Sequence, residues 1–229
     1  MDGEGMSARR WIVLLGLAVE GGLVFAALLT GWLMGRDALA TFTWSASDAL
    51  WGLVATVPPL LVFLACLRWP VAGLRRIQQF CEEVLAPALA SCSFAELALL
   101  SLLAGVGEEM LFRGVLQPAC ADWLGGPWLG LAAASVLFGL AHAVTFTYVV
   151  YAALMGAYLG WIWLATGNLL TVIVIHSVYD FGALIYLLHE TGTKRKARAS
   201  AEPDLSGSAD ALRFLSEDEE GEAEEGLAQ

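Results

Sequence analysis

Residues 11–34 carry a single charged side chain, Glu20, in an otherwise apolar run. A bilayer core of about 30 Å takes about 20 helical residues to cross. In lipid the backbone must satisfy its own hydrogen bonds, so an apolar run of this length has one outcome, a membrane helix. Similar runs return at 50–67, 94–116, 127–142, 146–165 and 169–188. The expected fold class is therefore all-α, a polytopic membrane helix bundle with about six transmembrane helices. Composition agrees: 58% of the residues are hydrophobic and 15% charged, against about 45–50% and 25% in soluble domains.

Local signals refine this picture. Pro58-Pro59 inside the second run predicts a kink. Residues 71–90 alternate Leu74, Ile77, Phe80, Cys81 and Val84 with Arg75, Arg76, Gln78, Gln79, Glu82 and Glu83 at helical spacing. That pattern predicts an amphipathic helix lying at the interface. Gly125-Gly126 closes a loop expected over 117–126, and Pro127 opens the next helix. Thr166-Gly167-Asn168 predicts a turn. Gly31-x-x-x-Gly35 and Gly156-x-x-x-Gly160 predict close helix packing inside the bundle. After Thr191 the chain turns polar, with ten acids against five basic residues over 191–229, and reads as a disordered tail. The chain thus divides into 1–93 (two membrane helices and the amphipathic helix), a core over 94–190, and the tail over 191–229.

Charge placement orients the chain and excludes some functions. With six spans both termini share a side. Arg9, Arg10, Arg68, Arg75, Arg76 and the five basic residues of the tail all fall there. The positive-inside rule makes that side cytoplasmic. The net charge is −11 and no basic face runs through the chain, so nucleic acid is not an expected partner. The four cysteines form no CxxC pair, which argues against a zinc ribbon or a thioredoxin-type site.

The chemistry lies in ionisable residues inside the apolar runs. Each costs about 2.5–3.5 kcal/mol on insertion scales and marks a bundle interior. They are Glu108, Glu109, Arg113, His142, His176 and Asp180. Glu109 and Arg113, Phe138 and His142, and His176 and Asp180 are each i,i+4 pairs, so each run offers one polar face. At 1.5 Å per residue, Glu108 lies about 13 Å, His176 about 12 Å, Asp180 about 18 Å and His142 about 22 Å below the same side. Three helices can thus bring two carboxylates and two imidazoles into one cavity. A carboxylate beside an imidazole can activate water, and a second imidazole can stabilise an oxyanion. Glu108 and Glu109 point 100° apart, so only one need face the water. Serine-hydrolase and zincin signatures are absent. Glu20 is expected to be a buried hydrogen-bonding residue of the first span.

Glu108-Glu109-Met110-Leu111-Phe112-Arg113 resembles the EExxxR motif of the CAAX-protease and bacteriocin-processing family of intramembrane proteases, which includes Rce1-like enzymes. Phe138 to His142 resembles its FxxxH motif, and His176 to Asp180 its HxxxN or HxxxD motif. Each motif alone also fits a packing ion pair or a helix cap; three in order, one per span, is far more specific. The resemblance implies a glutamate-dependent intramembrane endopeptidase. Glu108 and His142 would activate water, His176 and Asp180 would form the oxyanion site, and Glu109, Arg113 and Phe138 would support structure or substrate. Asn is commoner where Asp180 stands. An ionised Asp cannot donate to an oxyanion, so Asp180 serves either as its protonated form or by orienting His176.

No metal and no cofactor are expected, with zinc on the Glu/His/His/Asp set as the alternative. The expected partners are the lipid bilayer and a membrane-associated protein or peptide substrate. The Ala-, Gly-, Leu- and Arg-rich composition and the missing organellar signal point to a bacterial inner membrane. There the related branches mature peptides or, like the myxosortases, trim surface-anchor tails. The rival is a non-catalytic immunity or scaffold protein that binds a peptide in the same cavity.

Overall fold

The computed structural model describes residues 2–69 and 72–201, with side chains over 10–69, 73 and 75–194. All secondary structure among them is helical. The order is α1 (Asp2–Leu33), α2 (Ala46–Ala55), α3 (Val57–Arg68), α4 (Ala72–Phe80), a π-helical turn Cys81–Leu85, α5 (Ala86–Leu89), α6 (Phe94–Glu109), a π-helical segment Met110–Leu116, α7 (Gln117–Leu124), α8 (Pro127–Ala141), α9 (Phe146–Thr166) and α10 (Leu169–Ala201).

Caps and breakers explain most boundaries. Ser93 opens α6 with a capping box: its Oγ accepts from the Glu96 N–H at 3.3 Å, and its own N–H donates to Glu96 Oε2 at 2.7 Å. Thr145 caps α9 by accepting from the Tyr148 N–H at 3.1 Å. Gly125 and Gly167, at φ 87° and 65°, end α7 and α9 in the left-handed region that glycine favours. Pro58-Pro59 act as expected, splitting the second run into α2 and α3 at Thr56. Both π segments end just before a proline, Pro87 and Pro118. A proline clashes with the carbonyl four residues back, and a widened turn relieves that clash.

Four helical stretches are long and apolar enough to cross a membrane: Arg10–Leu33, Ala46–Arg68, Phe146–Thr166 and Leu169–Lys194. Arg75–Leu89 and Phe94–Leu124 meet at 120° and make a fifth if taken as one broken span. By length and composition the described residues thus carry four or five candidate spans, with Pro127–Ala141 as a further, shorter apolar helix. Pro127–Ala141, expected as the fourth span, has 15 residues and reaches about 22 Å. Large apolar side chains such as Trp11, Leu15, Phe25, Trp32, Leu61 and Leu154 face outward, as lipid contact requires.

Three expectations are corrected. The loop expected over 117–126 is helical to Leu124, since Pro118 sits in the first turn of α7, where its missing N–H is tolerated. Gly35 is not part of a packing stripe, because its φ of 64° places it in the turn after α1. The tail does not lose its helix at Thr191: α10 runs to Ala201, through a Lys-, Arg- and Ala-rich segment of good helix formers, and Glu190 pairs with Lys194 at 3.0 Å. The acidic remainder, 202–229, lies outside the described residues.

The core is built where α1, the Met110–Leu116 segment, α9 and α10 meet, around Ala27, Val115, Leu159, Leu169, Val172 and Ile175. Small residues set its spacing. A methyl group on Gly105 would lie 3.0 Å from the Ser177 backbone nitrogen of α10, and one on Gly107 would lie 3.1 Å from the Glu20 carbonyl oxygen of α1. Gly105 and Gly107 stand about 200° apart on α6, so α6 is held at backbone contact between α1 and α10. The expected packing role of Gly156 and Gly160 holds. They meet Ser135 and Phe138 on α8, and Gln117 on α7 with Leu131 on α8.

Candidate active site

Glu108 and Glu109 are the last two residues of α6, and Arg113 lies in the π segment that follows. Their widened helix faces α8, α9 and α10. Glu109 and Arg113 are sealed in, 0% and 1% exposed. Glu109 Oε1 accepts from Arg113 at 2.6 Å and from His176 Nδ1–H at 2.7 Å. Arg113 also donates to the Gly156 carbonyl of α9 at 2.9 Å, and its guanidinium lies 4.7 Å from the Phe138 ring centre. One buried carboxylate thus ties α6 to α10, and one buried guanidinium ties it to α8 and α9.

The neighbouring carboxylate has different company. Glu108 Oε2 stands 3.7 Å from His142 Nε2 and 4.0 Å from His176 Nε2. Both are longer than a hydrogen bond. The same oxygen is buried with no hydrogen-bond partner among the described residues. His142 follows the end of α8, where its Nδ1–H donates to the Phe138 carbonyl at 2.8 Å and its ring stacks on Phe138 at 4.6 Å. That bond leaves Nε2 as a lone-pair nitrogen aimed toward Glu108. On α10, His176 Nε2 lies 3.4 Å from Asp180 Oδ2.

The structure therefore brings together Glu108, Glu109, Arg113, Phe138, His142, His176 and Asp180. Asp180 and His142 are the more open members, with side chains 32% and 26% exposed. Sequence reasoning missed several neighbours. Gly156 accepts from Arg113 through its backbone, which no side-chain pattern reveals. Tyr148 sits 6.0 Å from the His142 ring, stacks on Tyr151, and Tyr151 shares a 2.7 Å hydrogen bond with the Tyr179 hydroxyl. The i,i+3 spacing of Tyr148 and Tyr151, and the place of Tyr179 beside Asp180, were the available signals. Among the described residues no group of three or more His, Cys, Asp or Glu side chains is disposed to hold a metal ion.

Residues 90–182 match the family model for Rce1-like type II CAAX prenyl endopeptidases. Over this segment the chain is similar to the Rce1-like branch of the CAAX-protease family. The segment contains all three motifs and every residue of the cluster, and it begins just before α6 and ends just after Asp180. No curated protein and no solved structure matches the chain. The Rce1-like family is a protease family, and the apolar helices make this a membrane protein.

Proposed function

We propose that the chain is an intramembrane endopeptidase of glutamate type that cleaves a membrane-associated protein or peptide without a metal ion. The observation that carries this reading is the pairing of two lone acceptors, Glu108 Oε2 and His142 Nε2, 3.7 Å apart. Two acceptors at that separation are bridged by a molecule with two O–H groups, and water is that molecule. Held there, water gives a proton to Glu108 as its oxygen attacks the scissile carbonyl carbon. The carbonyl electrons move onto oxygen, and the resulting oxyanion is met by His176. Glu109 fixes His176 through Nδ1–H, so Nε2–H of the imidazolium form points into the cavity as a preorganised donor. The intermediate collapses, the C–N bond breaks, and Glu108 returns its proton to the leaving amine.

Asp180, beside His176 Nε2, is the second oxyanion group when it carries its proton. It is not the main orienter of His176, because the 2.7 Å bond that His176 Nδ1–H donates to Glu109 outranks a 3.4 Å approach. Glu109, Arg113 and Phe138 form the clamp that holds both histidines. The basic residues favour cytoplasmic termini in a bacterial inner membrane. Tail trimming of surface-anchored proteins, as in the myxosortases, and peptide maturation are the substrate classes that suit such a site.

The test compares membranes from cells expressing the wild-type chain and Glu108→Ala, by mass spectrometry of protein termini. At least one membrane-protein terminus is expected to change, and to be restored by the wild-type chain. Identical termini at equal protein levels overturn the protease reading in favour of a peptide-binding scaffold.

A further inference from the structure

Glu20 lies on α1, outside the segment that matches the family model. Its face of α1 is a stripe packed on α6 and the π segment. Gly16 meets Leu100, Leu23 and Val24 meet Gly107, Ala27 is fully buried, and Gly31 meets Val115. Steps of three and four residues keep these on one side of the helix, with Glu20 among them. The contact at Gly107 includes the Glu20 backbone itself, and Gly107 immediately precedes Glu108. α1 is thus pinned at backbone distance beside the base of the proposed reaction.

The Glu20 side chain is set apart from a packing residue by its chemistry. Its Oε2 is buried and has no hydrogen-bond partner among the described residues, as is true of Glu108 Oε2. Glu20 lies within electrostatic reach of Glu108, Asp180 and His176. His142, Glu109 and Arg113 complete the charged and titratable surroundings of Glu108. Leaving a carboxyl oxygen unpaired in such an interior is costly, and a leucine would fill the space without that cost. A buried acceptor oxygen on Glu20 and another on Glu108, on helices pinned at Gly107, are reconciled by a donor they share, either a proton or a water.

We propose that Glu20 is a positioning residue of the active site. Its carboxyl shares a hydrogen-bond donor with Glu108 and so keeps Glu108 aimed at His142. The cavity is then completed by a helix that the family match does not include. This inference rests on the endopeptidase reading.

The assay uses the full chain in proteoliposomes with a single-span reporter bearing the terminus that differs between wild-type and Glu108→Ala membranes. Glu20→Leu keeps the packing and removes the acceptor. It is expected to lower kcat by about tenfold to a hundredfold, with KM within about twofold and thermal stability equal or higher. Glu20→Gln, which still accepts a hydrogen bond, is expected to recover most of that loss. Leu15→Ala, on the outward face of α1, should leave kcat unchanged. Wild-type kcat in Glu20→Leu, or a loss that tracks reduced protein level or stability in both Glu20 variants, overturns the inference. Glu108→Ala is run in parallel. Cleavage retained there overturns the protease reading itself, whereas cleavage lost there with Glu20→Leu fully active removes only the role of Glu20.

Discussion

Glu109 reaches into a sealed region of the molecule and Glu108 into an open one, although the two are adjacent on one helix. Glu109 Oε1 takes two donors at bonding distance, Arg113 at 2.6 Å and His176 at 2.7 Å, while its Oε2 is buried with no partner among the described residues. Around Glu108 the nearest groups are two imidazole nitrogens at 3.7 and 4.0 Å, too far to bond. The cause is a rotation of 100° per residue, combined with α6 being wedged between α1 and α10 by Gly107 and Gly105. The difference teaches how one dipeptide serves two ends. A carboxylate committed to a guanidinium and an imidazole through one oxygen holds helices together, while one with no bonded cation is, on the proposed reading, the group left to accept a proton.

Four substitutions and one treatment would break or sharpen that contrast. The largest effect is expected on the open side. Glu108→Gln should lower reporter cleavage by about 10³- to 10⁴-fold at unchanged membrane level, measured in proteoliposomes and by immunoblot. Next comes the sealed side, where Arg113→Ala leaves Glu109 without its cation. It should cost about 3–5 kcal/mol of stability, read from denaturant unfolding in detergent; an Arg113→Ala protein as stable as wild type, with normal turnover, would dissolve the distinction. Asp180→Ala should reduce kcat about a hundredfold, whereas Asp180→Asn, which keeps a donor, should stay within about tenfold. A near-complete loss in Asp180→Asn would instead assign Asp180 the task of orienting His176. The smallest effect is expected from a chelator: dialysis against EDTA should leave reporter cleavage unchanged, and loss restored by added zinc would refute the metal-free reading.

Much of this was readable before any coordinates. Helical class followed from apolar runs, because lipid leaves the backbone no other way to pair. The i,i+4 pairs were readable because one helical turn is a local property, and Glu109–Arg113, Phe138–His142 and His176–Asp180 all come within contact. The break at Pro58-Pro59 and the turn at Gly167 are equally local. By contrast, the loop expected at 117–126 missed that a proline fits the first turn of a helix. The π segments were signalled only faintly, by Pro87 and Pro118, since the same prolines are compatible with a simple helix start.

What the sequence determined by itself is therefore the set of helices and the acid, imidazole and guanidinium groups each one carries. Only the tertiary structure decided which carboxylate is bonded to Arg113 and which is not, that Arg113 rests on Phe138 and a backbone carbonyl of α9, and that the Glu20 backbone of α1 meets Gly107 next to Glu108. The reason is physical. Periodicity along a helix is fixed by neighbouring residues, whereas the rotation and separation of two helices depend on where small residues far apart in the chain let their backbones touch.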